Sequence, residues 1–160
     1  MLTAHPHLPE FEYILPENIA EASRFLYQNH VEACVFLCGT DILVRLRNGD
    51  LKIKYLVDVK KLKGMNDITL DPDTGLRIGS AVSMNRIIES EDIQRHYPVL
   101  VEAAKSVASY QLRTRATIVG NICNASPAGD TIGACLVLDA SLGIHGLDGN
   151  RIEPLNGFFR

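Results

Sequence analysis

Hydrophobic positions in the first third of the chain alternate between short continuous runs and helical spacing. The runs occupy residues 11–15, 35–37 and 53–59. Such runs are typical of buried strands, and the apolar residues between them recur three and four positions apart, which predicts two amphipathic helices. Asn18 followed by Glu21 is a helix-capping pair, and Gly49 marks a helix end. Residues 11–60 therefore predict the order strand, helix, strand, helix, strand.

The spacing changes in the rest of the chain. Two pairs of short apolar runs flank turn-forming residues, which predicts two β-hairpins. The hairpins are expected at residues 68–78 and 142–154. Between them, the pattern predicts a helix over residues 84–89 and another that begins at Pro98. We therefore predict two subdomains, residues 1–60 and residues 61–160.

The composition is that of a globular domain. Of the 160 residues, 46% are hydrophobic and 22% are charged, which excludes a disordered chain and allows one ordinary domain or two small subdomains. No run of about eighteen apolar residues is present, so we expect no membrane span. Residues 1–10 contain no basic stretch followed by an apolar run, so we expect no secretory signal and a cytoplasmic location.

Charge and cysteine spacing exclude two further classes of function. The formal net charge is −3 and the basic residues are scattered, whereas a nucleic-acid-binding protein clusters them on one face. The cysteines are Cys34, Cys38, Cys123 and Cys135. They form no C-x-x-C pair, so we predict free thiols, buried or half-buried, and no metal site.

A strand-to-helix turn is the first candidate binding segment. Its residues are Leu37, Cys38, Gly39, Thr40 and Asp41. The exposed N–H groups of a helix start favour an anion, and a glycine lets phosphate oxygens approach the backbone. The alternative is a tight turn at Gly39 with Asp41 as the helix cap, because short turns of this composition are common.

The second candidate, residues 117–130, lies between two apolar segments, and we predict a loop there. Its candidate ligand-binding residues are Thr117, Val119, Gly120, Asn121, Asn124, Ser126 and Asp130. Hydroxyl, amide and carboxylate groups in one loop suit a ligand with many polar groups, and the alternative is an idle surface loop. Arg113 and Arg115 precede it and either offset phosphate charge or form a solvated pair. No catalytic residue is predicted, since Ser126 lacks G-x-S-x-G surroundings.

Four segments together resemble one known family. They are residues 37–41, 76–84, 111–118 and 117–130. In this order and separation they resemble the FAD-binding subunit or domain of the xanthine dehydrogenase and carbon monoxide dehydrogenase family, from Phe11 through Phe159. The resemblance implies an α+β fold of two subdomains, the FAD-binding fold of the vanillyl-alcohol oxidase (PCMH) type.

The resemblance also implies a role for each candidate residue. The turn at residues 37–41 would hold the FAD pyrophosphate through backbone N–H groups. The residues that would contact the pyrophosphate and the ribityl chain are Thr117, Gly120, Asn121 and Asn124. Asp130 would accept a hydrogen bond from a ribityl or ribose hydroxyl, and Gly79 would let the cofactor pass close to the backbone.

The function implied by the resemblance is electron transfer within a molybdenum hydroxylase or dehydrogenase. Electrons would pass from a molybdopterin-binding large subunit, through a 2Fe-2S small subunit, to FAD and then to NAD or another acceptor. Two alternatives stay open. The chain is either an assembly subunit that keeps the fold without the cofactor, or a truncated fragment without independent activity.

Three departures from the family pattern bear on FAD binding. Cys38 and Val119 each stand where the family usually has the first glycine of a Gly-Gly pair. If those positions need positive φ, we expect strain on the order of 1–3 kcal/mol at each and weakened FAD binding. The chain also stops at Arg160, so we expect the family's C-terminal domain to be absent.

Overall fold

A computed structural model describes residues 7–159, and its first part confirms the predicted alternation. The elements are β1 (Glu12–Ile14), α1 (Ile19–Gln28), β2 (Ala33–Phe36), α2 (Ile42–Asn48) and β3 (Tyr55–Asp58). The strands form one parallel sheet of order β1-β3-β2, with Phe36 opposite Asp58. Because parallel strands share their carboxyl edge, residues 37–41 leave the sheet beside residues 59–60.

Local signals for α1 and α2 are confirmed. The Asn18 side chain accepts a hydrogen bond from the Glu21 N–H at 2.9 Å, and the Glu21 carboxylate accepts one from the Glu17 N–H at 2.7 Å. These contacts satisfy backbone donors that the first helical turn leaves unpaired. Helix α2 ends at Gly49, whose φ of 80° is the left-handed conformation that glycine adopts without strain.

The second part of the chain places helices between two antiparallel hairpins, which confirms both hairpin predictions and an α+β architecture. The hairpin strands are β4 (Ile68–Asp71) with β5 (Gly75–Ile78), and β6 (Ser141–Gly146) with β7 (Gly149–Pro154). The helices are α3 (Met84–Glu89), α4 (Glu91–His96), α5 (Pro98–Ser106), α6 (Tyr110–Arg113), α7 (Ile118–Asn124) and α8 (Ile132–Val137), and a 3-10 turn follows β7 at Leu155–Gly157. Helices α4 and α6 were not predicted. Ile93 is the only buried residue of α4, and α6 buries none, so neither has a detectable apolar stripe.

Buried apolar residues form two clusters. The smaller cluster joins α1 to the sheet through Ala22, Val57, Val59 and Leu62. The larger cluster belongs to the second part of the chain and contains the fully buried Met84, Ile87, Ile93 and Ile122. Each of these side chains contributes about 1.5–3 kcal/mol by burial. Two cores agree with two subdomains, and the division between residues 60 and 61 stays a prediction.

The predicted loop at residues 117–130 is wrong for its first half, because residues 118–124 form α7. Thr117 caps this helix, its hydroxyl accepting a hydrogen bond from the Gly120 N–H at 2.9 Å. Ile118 and Ile122, four positions apart, are buried in the larger cluster. Of the polar residues that suggested a loop, Asn124 lies exposed on this short helix, whereas Asn121 faces Thr131. Only residues 125–130 are irregular.

Several expectations concern targeting, membranes and thiols. Across residues 7–159, no helix combines the length and apolar character needed to cross a bilayer. Residues 1–6, which bear on the predicted lack of a secretory signal, lie outside the described residues. Within the described part of the chain, no group of three His, Cys, Asp or Glu side chains is placed to hold a metal ion. All four cysteines are free thiols, but Cys123 is exposed, so the prediction of buried or half-buried thiols is wrong there.

Candidate functional site

The two candidate segments lie against each other, one from each part of the chain. A Cβ atom added to Gly120 would lie 3.7 Å from the Cys38 Sγ atom. The Asn124 side-chain amide donates a long hydrogen bond of 3.5 Å to the Asp41 carboxylate. The tertiary structure therefore brings together the two segments that the sequence separates by about eighty residues.

The first turn presents unpaired backbone donors. Gly39 has a φ of 79°, which only glycine adopts readily, so this residue makes the tight turn. Within residues 7–159, no acceptor is placed for the backbone N–H groups of Cys38, Gly39, Thr40 and Asp41. Asp41 occupies the N-cap position of α2, but its side chain makes no capping hydrogen bond to the helix. Four adjacent free N–H groups suit an anion.

The predicted backbone strain at Cys38 and Val119 is wrong. Among the described residues, the non-glycine residues with positive φ are Ala108, Ala125 and Asp139. In the first turn, the position that needs positive φ is Gly39, which is present. Val119 lies inside α7, where its backbone is helical. Neither substitution therefore stores backbone strain, and the effect of Cys38 is limited to the space that its side chain occupies.

Polar side chains of the second segment divide into internal and outward-facing groups. Thr117 is buried and engaged as the cap of α7. The Asn121 side-chain oxygen accepts hydrogen bonds from the hydroxyl of the buried Thr131 at 2.8 Å and from its N–H at 3.3 Å, which ties α7 to the start of α8. Asn124 and Asp130 are exposed. These outward groups are the ones accessible to a ligand, although the Asn124 amide also contacts Asp41.

Residues 126 and 79 have structural roles of their own. The Ser126 hydroxyl accepts a hydrogen bond from the Ala128 N–H at 3.3 Å inside the irregular turn. At Gly79, an added Cβ would lie 2.4 Å from the carbonyl oxygens of both Gly64 and Met65. Glycine is therefore needed here because two protein segments pass in close contact. A contact between Gly79 and a cofactor stays a prediction.

A recess of about 240 Å³ opens beside the first turn and draws residues from both parts of the chain. Its lining includes Cys38, Lys60, Ser83, Arg86, Thr114 and Arg115. Ser83 pairs with Thr117 in an isolated β-bridge, and the Met84 N–H donates to the Ala116 carbonyl at 2.8 Å. This pairing holds the start of α3 against residues 114–117 and so assembles one wall of the recess.

Sequence reasoning missed a polar network at the carboxyl edge of the sheet. Asp58 is only 6% exposed, yet its carboxylate receives a hydrogen bond from the Tyr13 hydroxyl and an ion pair from the Lys60 ammonium at 2.8 Å. The same ammonium lies 3.9 Å from the centroid of the Phe36 ring. The network joins residues 47 positions apart, so no local pattern could reveal it.

Ionisation of this network follows from its contacts. Partial burial and the hydrogen bond to Asp58 raise the pKa of Tyr13 to about 12. Burial alone would raise the pKa of Asp58, but the hydrogen bonds from Lys60 and Tyr13 outweigh it and hold that pKa below its ordinary value of 3.8. The Asp58 interactions therefore contribute stability above about pH 4, and this contribution is lost as the pH falls through the lowered pKa.

Tyr13 is expected to titrate above the ordinary pKa of a tyrosine. Its folded-state pKa lies above the ordinary 10.0, so the stability from its hydrogen bond is complete below pH 10 and is lost as the pH rises toward about 12. An ultraviolet absorbance titration of tyrosinate should show a late proton that leaves near pH 12. The late proton should vanish in Tyr13→Phe and shift to lower pH in Asp58→Asn. A titration curve unchanged by either substitution would exclude the network.

Arg113 and Arg115, which the sequence left as an undecided pair, have different environments. The Arg113 guanidinium donates hydrogen bonds of 2.9–3.1 Å to the carbonyl groups of Lys105, Val107 and Ala108. It therefore caps the end of α5 and the chain that follows, which is a structural role. The Arg115 N–H donates to the Leu112 carbonyl at 2.9 Å, whereas its guanidinium has no hydrogen-bonding or ionic partner within residues 7–159 and lines the recess. Of the two arginines, only Arg115 remains a candidate for offsetting the charge of a bound phosphate.

The fold and the facing segments define a nucleotide-cofactor-binding domain built from two α+β parts. The sequence matches the family described as the FAD binding domain in molybdopterin dehydrogenase over residues 9–160. The chain belongs to this family. FAD is the family's cofactor, which confirms the predicted cofactor.

Individual relatives agree with the family assignment. The chain is 40% identical over 140 residues to the xanthine dehydrogenase FAD-binding subunit of Escherichia coli O157:H7, covering 88% of this chain and 48% of that protein. It is 31% identical over 153 residues to the nicotinate dehydrogenase FAD-subunit of Eubacterium barkeri, covering 95% of this chain and 51% of that protein. The chain therefore spans about half the length of the curated relatives that it matches.

A solved structure confirms the fold type. Carbon monoxide dehydrogenase from Hydrogenophaga pseudoflava superimposes with a TM-score of 0.92 at 30% identity. The superposition covers 96% of this chain and 53% of that chain. The predicted two-part α+β fold of the vanillyl-alcohol oxidase (PCMH) type is therefore confirmed.

Proposed function

We propose that this chain is the FAD-binding electron-transfer part of a molybdenum hydroxylase or dehydrogenase, with the FAD diphosphate held where residues 37–41 face α7. The contact of Cys38 with Gly120 carries the proposal, because it places a turn with free N–H groups against a second segment from the other part of the chain. The adjacent recess with its three cationic side chains also fits a phosphate-bearing cofactor.

Each candidate residue has a proposed role in this site. The N–H groups of residues 38–41 donate to the diphosphate, and Leu37 lines the adjoining recess. The side chains proposed to contact the ribityl chain or ribose are Asn124, Ser126 and Asp130. Gly120 keeps the space opposite Cys38 open, and Val119 places its N–H near the start of α7. Thr117 and Asn121 act indirectly, since their oxygens hold α7 in place.

The remaining parts of the function follow from the family and stay proposals. Bound FAD supplies reversible redox chemistry, while the protein binds and orients it and keeps out water. We propose a molybdopterin-binding large subunit and a 2Fe-2S small subunit as partners, NAD as one acceptor, and a cytoplasmic location. One of the two arguments for the cofactor-free alternative was the pair of altered glycines, and no positive φ occurs at Cys38 or Val119.

Flavin retention tests the proposal directly. The purified chain, incubated with excess FAD and desalted, should keep the visible absorbance band of flavin. The change of flavin fluorescence as FAD is titrated with the chain gives the affinity. Gly120→Leu should abolish retention, because its Cβ would lie 3.0 Å from the capping Thr117 Oγ1 and 3.7 Å from the Cys38 Sγ, and the rest of the side chain would fill the space between the two segments.

Gly133→Leu is the matched control. Gly133 also lies in a short helix, α8, but nothing lies within 4 Å of a Cβ added there. This variant should retain FAD like the unmodified chain, and circular dichroism should show both variants folded. Loss of flavin from the unmodified chain, or equal retention by the folded Gly120→Leu variant, would contradict the proposed site.

A further inference from the structure

The outer edge of β7 has no strand beside it. Within residues 7–159, β7 pairs with β6 alone. The pair that closes a two-residue turn is hydrogen-bonded and the pairs then alternate, so the Gly146–Gly149 pair fixes which backbone groups face outward. The N–H and C=O groups of Asn150 and Ile152 point away from β6, and no partner for them lies in that range. Such an edge readily accepts a strand of another chain.

The middle of this edge carries an exposed apolar side chain. Ile152 is 77% exposed, and its neighbour on β6 is Gly143, which has no side chain to pack against it. Pro154 lies on the same face of β7, because the side chains of a strand alternate between its two faces. Pro154 also lines a shallow recess with Leu136, which is 39% exposed. The edge therefore combines unpaired backbone groups with apolar surface that the described part of the chain leaves uncovered.

The two charged residues of β7 are complementary to a second copy of the same strand. Arg151 and Glu153 flank Ile152, and their solvent-accessible side chains form an ion pair with each other at 3.1 Å. When two β7 strands pair antiparallel about Ile152, each Arg151 lies opposite the Glu153 of the other copy. The same arrangement brings the outward N–H and C=O groups of the two Ile152 residues into hydrogen-bonding register.

Other pairings of the two strands are opposed by charge. An antiparallel pair centred on Arg151 places the two arginines opposite each other, and a pair centred on Glu153 does the same with the two glutamates. A parallel pair in register places each charge beside its like. Like charges directly opposite each other destabilise a strand pair. The sequence of β7 therefore favours the antiparallel pair centred on Ile152.

We propose that β7 is a self-association edge, through which two copies of this chain join their β6–β7 hairpins into one antiparallel sheet. The two-fold axis passes beside Ile152, and each copy contributes the same residues to the contact. One short strand from each copy makes a smaller interface than that of a stable dimer, so we expect weak, concentration-dependent association. No residue of the hairpin lines the recess beside residues 37–41, so this inference does not rest on FAD binding.

Charge reversal tests the pairing. Sedimentation velocity of the full chain should show a monomer–dimer equilibrium that shifts toward the dimer as the protein concentration rises. Arg151→Glu and Glu153→Arg should each weaken the association at least about tenfold, because each variant sets like charges opposite each other across the two-fold axis. An equimolar mixture of the two variants should restore the dimer, because opposite charges then face each other again.

Lys105→Glu and Glu102→Arg are the matched controls. Lys105 and Glu102 form an exposed ion pair at 3.0 Å on α5, so these substitutions make the same changes of charge away from β7. Both controls should associate like the unmodified chain. Equal weakening in the control and edge variants, or no recovery on mixing, would overturn the pairing of Arg151 with Glu153. A chain that stays monomeric up to its solubility limit would overturn self-association and leave the edge to a strand of a different protein.

Ile152→Pro tests the backbone contact separately. Proline removes the outward N–H of residue 152, which β6 does not use, and Pro154 already occupies an equivalent position in the strand. The hairpin should therefore fold, as judged by circular dichroism, while the dimer is lost. A folded Ile152→Pro variant that associates like the unmodified chain would exclude strand pairing at this edge.

Discussion

Gly79→Ala is expected to lower the free energy of unfolding by about 3 kcal/mol or more, at the upper end of overpacking substitutions. The added Cβ would lie 2.4 Å from the carbonyl oxygens of Gly64 and Met65. These atoms belong to the backbone, so no side-chain rotation can relieve the clash. Hydrogen bonds from the Gly79 N–H to Asp67 at 2.8 Å and from the Ala81 N–H to Met65 at 2.7 Å hold the two segments together.

Chemical denaturation with urea measures this effect, and Gly133→Ala provides its control. Gly133 lies in α8 with nothing within 4 Å of an added Cβ. Alanine in this helix should increase stability by about 0.5–1 kcal/mol, because it restricts the unfolded chain and favours the helix. The clash at residues 64–65 would be disproved if Gly79→Ala were as stable as the unmodified protein.

Gly39→Ala is expected to lower the free energy of unfolding by about 2–5 kcal/mol, from two separate sources. A φ of 79° costs an alanine about 1–2 kcal/mol. The new Cβ would also lie 2.5 Å from the Phe36 ring, and such overpacking adds about 1–3 kcal/mol. The Phe36 ring cannot move freely, because Lys60 lies over its face and the Tyr13 ring packs at its edge at a centroid distance of 6.0 Å.

Gly49→Ala separates the two sources. Gly49 has nearly the same φ, 80°, but nothing lies within 4 Å of its added Cβ. Gly49→Ala should therefore lower the free energy of unfolding by the cost of the positive φ alone, about 1–2 kcal/mol, as measured by thermal or urea unfolding. The difference between the variants measures the contact of residue 39 with Phe36. Equal losses of unfolding free energy in the two variants would show that the Phe36 ring moves away from the added Cβ without an energetic cost.

Gly39→Ala should also weaken flavin binding more than its stability loss explains. The substitution displaces the turn whose N–H groups are proposed to hold the diphosphate. Flavin titration at a temperature where the variant remains folded measures this effect. Gly49→Ala, at the far end of α2, should bind FAD normally, so reduced binding by both variants would point to general destabilisation.

Local signals in the sequence were sufficient for most of the elements. The capping contacts of Asn18 and Glu21 and the glycine at the end of α2 act within a few residues, so their patterns predicted α1 and α2 correctly. The same holds for the two hairpins, whose turns are specified by neighbouring residues. Helix α7 was missed because only Ile118 and Ile122 face the core, and two apolar positions do not establish a helical period.

The role of individual glycines required the three-dimensional arrangement. The sequence suggested that Gly79 makes room for a cofactor, whereas the atoms beside it belong to Gly64 and Met65. It suggested strain at Cys38 and Val119, whereas positive φ occurs at Gly39. Residue identity alone specifies neither a backbone angle nor a contact between segments that are far apart in the sequence.

The order of amino acids was enough to establish an α+β chain, its hairpins, the family and FAD as the cofactor, because these depend on local periodicity and on motifs of fixed spacing. Folding alone decided which side chains meet. It set Cys38 against Gly120, enclosed Asp58 with Tyr13 and Lys60, and separated Arg115 at the recess from Arg113 at the end of α5. Packing interactions fall off within a few ångströms and electrostatic interactions weaken with distance, so both depend on distances that only the tertiary structure defines.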